Sequence, residues 1–176
     1  MLTALGIEFE VVEPRVEEVR EGDPEEIVLE NARRKAQAGA ELAPDALVLG
    51  ADTEVVLEGR ALGKAAGPEE ARAHLEALSG RTHEVLGGLL LLDPSAAGPE
   101  PAERSGVARS RVSFEALDEP TIALYLSSGE WRDRAGAYAI QGLGAILVER
   151  MEGDFSNVVG LPVQLLIELA PELLSP

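Results

Sequence analysis

Two apolar runs set most of what this chain can become. ALVLGAD (46–52) is a continuous apolar stretch, and THEVLGGLLLLD (82–93) is a longer one. Bounded by Gly, Pro and polar residues, both read as strands, and the unbroken apolarity of the first marks a buried strand. Around them stand helices with clear punctuation. Asp23 occupies an N-cap position, Pro24 the first helical position, and Glu26 lies three after the cap; the helix runs to about Leu42 and Pro44 follows it. GPEEARAHLEALSG (67–80) is a second helix, with Pro68 early and Gly80 at its end. DEPTIALYLSSG (118–129) is a third, opened by Asp118 and stopped by Gly129, and PVQLLIELAPELL (162–174) is a terminal helix. Strands interleaved with helices predict a mixed α/β domain spanning 1–176.

The remaining segments complete the expectation. IEFEVVEP (7–14) reads as a strand closed by Pro14, and TEVVLEGRALGK (53–64) as a strand turning at Glu58-Gly59. Residues 94–104, rich in Pro, Gly and Ala, read as an exposed, mobile loop, after which SGVARSRVSFEAL (105–117) pairs back as an alternating strand. AGAYAIQGLGAILVERMEG (135–153) looks like two short strands around Gly142–Gly144, and GDFSNVVGLP (153–162) like a loop.

Charge narrows the partners. The formal net charge is −17 over 176 residues, which repels phosphate backbones and anionic lipid heads and argues against nucleic-acid or membrane binding. A small phosphate-bearing substrate would need a local cluster of cations, or a divalent metal held by the excess carboxylates. There is no run of eighteen apolar residues, no Cys, and no basic segment with an apolar core at the start, so a cytoplasmic protein is expected. The cations are unevenly chosen: thirteen are Arg, and the two Lys are Lys35 and Lys64. Arg is a wide planar fork, whereas Lys is a compact point charge that reaches a single oxygen.

Several residues could carry chemistry. Asp52, expected at the C-terminal end of a buried strand, could bind a divalent cation or act as a base. On spacing alone, the commoner role of such an Asp is to bond its own backbone in a turn. Lys35 falls on the same helical arc as Val28, Ala32, Gly39 and Leu42, so its ammonium either snorkels to water or points into a cleft. Lys64 alone is an ordinary surface lysine. Glu17 and Glu18 lie in an acidic loop that reads as a solvated charge run. Gln141 ends AYAIQG and offers a donor and an acceptor, which suits a base edge as well as a strand end. His74 and His83 have no His or Cys partner at metal-ligand spacing and read as structural.

Taken together, GADT (50–53), LGK (62–64), LSGRTH (78–83), AGAYAIQG (135–142) and EGDFSNVVGLP (152–162), in this order and spacing, resemble the Maf family of nucleoside triphosphate pyrophosphatases. The resemblance covers nearly the whole chain. It implies an elongated mixed sheet with flanking helices and a cleft between two lobes, as in the inosine-triphosphate pyrophosphatase superfamily, and usually a homodimer. It implies cleavage of a nucleoside triphosphate to the monophosphate and pyrophosphate with Mg2+ (or Mn2+ or Co2+), removal of modified nucleotides, and a link to septum formation. Asp52 matches the family's proton acceptor, Lys64 and Lys35 its phosphate-facing lysines, and Glu18 an acidic residue near metal and phosphates. Glu18 and Asp52 are thus the implied metal ligands. Thr53 and Gln141 match positions tied to base selection, and ADT with IQG resembles the subgroup acting on dTTP and UTP.

One feature departs from the family pattern. Maf proteins carry a strand and a Ser/Arg loop, roughly LASxSPRR, before the helix that ends in LGI, whereas this sequence starts at MLTALGI, within that helix. The phosphate loop is therefore missing from this sequence; a start codon assigned too late, a truncated chain and a divergent, weakly active member are the three explanations, and the first is the expected one. The alternative, a non-catalytic nucleotide-binding division regulator of the same fold, gains only from the loss of that loop. Asp52, Lys64, Lys35 and Gln141 weigh for the enzyme.

Overall fold

The computed structural model describes residues 1–94 and 102–174. Five strands, β1 (Val48–Leu57), β2 (Arg60–Leu62), β3 (Thr82–Asp93), β4 (Ala102–Phe114) and β5 (Val148–Glu152), form a sheet in the order β2-β1-β3-β4-β5. Each described pairing is antiparallel. Helices α1 (Pro24–Leu42), α2 (Pro68–Leu78), α3 (Glu119–Ser128), α4 (Phe155–Val159) and α5 (Val163–Leu169) flank it. The expected combination of sheet and flanking helices is therefore present.

The apolarity of β3 has a simple cause: both of its faces are covered. Leu90 and Leu92 pack with Ala32 and Ala36 of α1, while Leu89 and Leu91 pack with Leu166 of α5 and Ala170. A strand buried on both faces needs no polar alternation. Each buried Leu contributes about 1.5–3 kcal/mol of transfer free energy. A larger cluster joins Val55, Val85 and Val112 of the sheet to Leu75 and Leu78 of α2 and Tyr125 of α3.

Glycine lets α1 lie directly on the sheet. A Cβ at Gly50 would meet Ala32 O at 2.1 Å, and one at Gly88 would meet Val28 O at 2.5 Å. Asp23 caps α1 as expected, accepting from the backbone N–H of Glu25 at 3.0 Å and of Glu26 at 3.4 Å. The turn at Glu58-Gly59 also forms, with φ of 51° and 79° at its two residues, the primed geometry that matches strand twist.

Several expectations are corrected. Residues 7–14 form no strand: Phe9, Val11 and Val12 are exposed and no strand lies alongside to complete a ladder among the described residues. β4 begins at Ala102, so the expected loop is shorter than 94–104; its residues 95–101 lie outside those described. The segment 135–153 holds one strand, β5, preceded by a 3-10 helix over Gly142–Leu147. Gly142, at φ 65°, turns the chain out of the extended conformation there. The loop 153–162 contains α4, because Asp154 caps the Ser156 N–H at 2.8 Å. The terminal helix splits into α5 and a 3-10 turn over Pro171–Leu174, since a proline has no N–H with which to continue a helix.

Candidate active site

Asp52 is the centre of the site, and its position differs from the one expected. β1 does not end there; Asp52 sits midway along the strand, opposite Gly88 of β3. The strand can carry a carboxylate through its middle because α1 supplies partners above it. Lys35 Nζ lies 2.5 Å from Asp52 Oδ1, and Asn31 Nδ2 donates to Asp52 Oδ2 at 3.2 Å. Asn31 and Lys35 are four apart on α1 and so share its sheet-facing side. Asp52 is 9 % exposed and Asn31 1 %, so these contacts are made largely away from water.

Lys35 does not snorkel. It bridges two carboxylates, reaching Glu18 Oε1 at 2.8 Å as well as Asp52. Lys64 Nζ approaches the other oxygen of Glu18 at 3.5 Å. Glu18, which read as part of a solvated run, is held in place by Asn31. The Val19 N–H donates to Asn31 Oδ1 at 2.7 Å, and Asn31 Nδ2 donates to Val19 O at 3.0 Å. Burial opposes the charge on Lys35, but its bonds to Asp52 and Glu18 outweigh it and hold the ammonium above its ordinary range. Burial likewise opposes the charge on Glu18, and Lys35 and Lys64 outweigh it and hold the carboxyl below its ordinary range.

A third carboxylate belongs to the group. Glu54 is two residues beyond Asp52, hence on the same face of β1. Burial first, then the charges of Asp52 and Glu18, push its carboxyl up to about 7. Its Oε2 is buried without a hydrogen-bond partner. Among the described residues, no three Asp, Glu or His side chains are already gathered as a metal cage.

These residues open into a cleft of about 430 Å³ lined by Lys35, Asp52, Thr53, Lys64, Glu130, Arg134, Tyr138 and Gln141, among others. Asp52 and Thr53 point to opposite faces of the strand, yet both line it. The cleft therefore wraps the outer edge of β1, where β2 pairs only with Val55–Leu57. Five of the residues singled out in the sequence thus meet in one cleft, and Glu18 joins them through its two lysines. His83 is structural as expected: it is 2 % exposed, stacks edge-on to Phe114 and Tyr138, and its Nε2 lies 2.8 Å from the Tyr138 hydroxyl. The motif at 152–162 both docks and lines the cleft: Asn157 Nδ2 donates to Val85 O at 3.0 Å, fixing α4 to β3, and Val158, Val159 and Gly160 form part of the cleft wall.

Asn31, Glu54 and Glu130 were not singled out in the sequence. Asn31 is a polar residue on the same buried arc as Lys35, and Glu54 shares its strand face with Asp52; both signals were legible. Glu130 carried none, because its contacts are to a distant turn.

Comparison with known proteins gives a consistent picture. The family described as Maf-like protein matches residues 1–173. A dTTP/UTP pyrophosphatase of Deinococcus radiodurans is 44 % identical over 170 residues, covering 96 % of this chain and 84 % of that protein. A dTTP/UTP pyrophosphatase of Dictyoglomus thermophilum is 42 % identical over 166 residues, covering 93 % and 84 %. A nucleoside triphosphate pyrophosphatase of Xylella fastidiosa is 47 % identical over 169 residues, covering 93 % and 87 %.

Proposed function

The chain belongs to the Maf-like protein family, and from that premise we propose that it hydrolyses nucleoside triphosphates, dTTP and UTP foremost, to the monophosphate and pyrophosphate. The observation that carries this reading is the line Asp52–Lys35–Glu18–Lys64 running along a cleft that also holds Thr53 and Gln141. Phosphoryl chemistry is mostly positioning and charge compensation. Here two point-charge lysines stand beside a buried carboxylate in an otherwise strongly acidic chain.

In this proposal a water attacks the α-phosphorus and forms a new P–O bond. The bond from that phosphorus to the bridging oxygen breaks, and its electron pair leaves with pyrophosphate. Asp52 takes the proton of the attacking water. Lys35 occupies Asp52 Oδ1 in the structure, so it moves onto phosphate oxygens as the substrate arrives and frees the base. Asn31 keeps its bond to Oδ2 and holds the carboxylate's orientation through that exchange. Lys64 meets the triphosphate from the outer edge, where its side chain is 52 % exposed.

The donor set suits a hard divalent cation such as Mg2+, which takes one or two carboxylates and completes its shell with phosphate and water. Glu18 and Asp52 would hold it, and the unpartnered buried Oε2 of Glu54 beside them supports the fit. When bound, the metal would neutralise charge on the triphosphate. Thr53 and Gln141 face the base in this reading. A homodimer and a cytoplasmic location complete the proposal on the family resemblance; among the described residues, no helix is long and apolar enough to cross a membrane. The test is a panel of nucleoside triphosphates with Mg2+, scored for both products. Equal monophosphate and pyrophosphate from dTTP and UTP, with little from purine nucleotides, is expected. Release of inorganic phosphate with a diphosphate product would refute attack at the α-phosphorus.

A further inference from the structure

We propose that Glu130 is a positioning residue for base selection: its carboxylate holds the turn that presents Gln141 to the cleft. The inference rests on the reading above, in which Gln141 meets the base.

Gln141 is exposed and stands at the tip of a turn, just before the 3-10 helix Gly142–Leu147. A long, flexible amide reads a base edge only if its backbone is fixed, because its own rotamers supply no preference. The backbone is fixed on both flanks by α3 and the residues that follow it. Two residues upstream, the Ala139 N–H donates to the Tyr125 hydroxyl at 3.0 Å. Downstream, the Leu143 N–H donates to Glu130 Oε1 and the Gly144 N–H to Glu130 Oε2, each at 3.2 Å. One carboxylate thus satisfies two successive amides at the start of the 3-10 helix, groups that have no partner within the helix.

The turn is shaped to receive that carboxylate. Gly142 adopts φ 65°, and a Cβ there would come within 2.7 Å of Glu130 Oε1. A Cβ at Gly144 would meet Ala139 O at 1.8 Å, so the two ends of the turn close on each other. Glu130 is itself held firmly. It follows Gly129, which ends α3 in the left-handed conformation, and its N–H donates to Ser128 Oγ at 3.1 Å. Trp131 beside it is 5 % exposed and donates to Leu126 O at 3.1 Å.

A carboxylate lining a cleft for a tetra-anionic substrate repels the phosphates unless it faces another part of the ligand. Glu130 lines the same cleft as Gln141, and both its oxygens are directed at backbone amides of the turn. A neutral residue of similar shape would avoid the repulsion but would supply only one acceptor oxygen. The geometry therefore gives the charged form a positioning role.

The test compares Glu130→Ala, Glu130→Gln, Gln141→Ala and the Glu130→Ala/Gln141→Ala double variant with the parent, measuring kcat and KM for dTTP and CTP. Loss of the clamp is expected to raise KM for dTTP about tenfold with a smaller change in kcat, the scale of one hydrogen bond, and to flatten the dTTP-to-CTP ratio. Glu130→Gln, which keeps one acceptor oxygen, falls between. On the Gln141→Ala background, Glu130→Ala leaves the ratio unchanged, because it acts through Gln141. Hydrogen exchange at the Leu143 and Gly144 amides quickens in Glu130→Ala while amides of β3 keep their protection, which separates a local effect from unfolding. If Glu130→Ala does not fold, Glu130→Gln is read by the same ratio and exchange rates. Full selectivity in a folded Glu130 variant overturns the proposal, and so does a further loss on the Gln141→Ala background. If the parent itself cleaves no nucleotide, the function reading fails first and this inference fails with it.

Discussion

At the scale of single residues, the site is a chain of charges whose members hold one another. Asp52, Lys35 and Glu18 were named from the sequence by residue type and resemblance; what the sequence did not show is that Asn31 ties them together. Asn31 bonds Asp52 and both backbone groups of Val19, so it fixes the Asp52 carboxylate and places Glu18. Its legibility lay in a helical arc, where a polar residue four before Lys35 should have drawn the same question. Asn31→Ala leaves Asp52 with Lys35 alone and strips this partner from both Val19 groups, and is expected to cost about 1–3 kcal/mol in urea denaturation, with activity falling further than stability. An unchanged denaturation midpoint would show that Asn31 holds nothing. His83 carries a different expectation. Burial pushes it down to about 4 from an ordinary 6.5. A folded value below the unfolded one means the stabilisation is whole above pH 6.5 and is lost as pH falls toward 4. By pH 5 the loss amounts to about 2 kcal/mol. Glu54, pushed up to about 7, acts with the opposite sign over the same window, so the parent's curve alone does not report His83. The difference between the parent and His83→Gln does: it should narrow by that amount from pH 7.5 to pH 5. Parallel curves would contradict the buried, neutral imidazole.

At the scale of elements, the strongest strand of the sequence was read end to end. THEVLGGLLLLD is β3 from Thr82 to Asp93, because a long β-branched and apolar run between a Gly turn and Pro94 has marked ends, although its unbroken apolarity carries no information on face or register. A charge in an apolar run looks like an ending, so the sequence pattern stops β1 at Asp52, whereas the strand continues to Leu57. The helix laid across it removes the reason to end. Segments 7–14 and 135–153 depart most from expectation because their form depends on contacts outside the segment: among the described residues no strand pairs with 7–14, and the Glu130 carboxylate holds the turn within 135–153. The packing of α1 on β1 gives the prediction at this scale. Gly50→Ala would place a methyl 2.1 Å from Ala32 O, so α1 must lift from the strand. The expected cost is about 1–3 kcal/mol or more, and the lift carries Lys35 and Asn31 away from Asp52. The variant should therefore lose activity even under conditions where it remains folded. A Gly50→Ala protein with parental stability and activity would show that α1 has room to spare.

At the scale of the whole molecule, a chain of net charge −17 is proposed to take a highly charged anion as its substrate. Long-range attraction cannot draw that substrate in. Local cations must do so, and Lys35, Lys64 and Arg134 line the cleft. Both lysines of the chain stand in it; composition marked them as scarce, and only the motif resemblance tied them to a site. In the proposed reading this cleft does the chemistry and Asp52 is its base. The most direct test is pyrophosphate release from dTTP with Mg2+ by the parent and by Asp52→Asn, with binding of a non-hydrolysable dUTP analogue measured on both. With Asp52 as the base, kcat falls by about 10²–10⁴ in the variant while the analogue still binds. Equal release by the two proteins would contradict it and remove Asp52 from the chemistry.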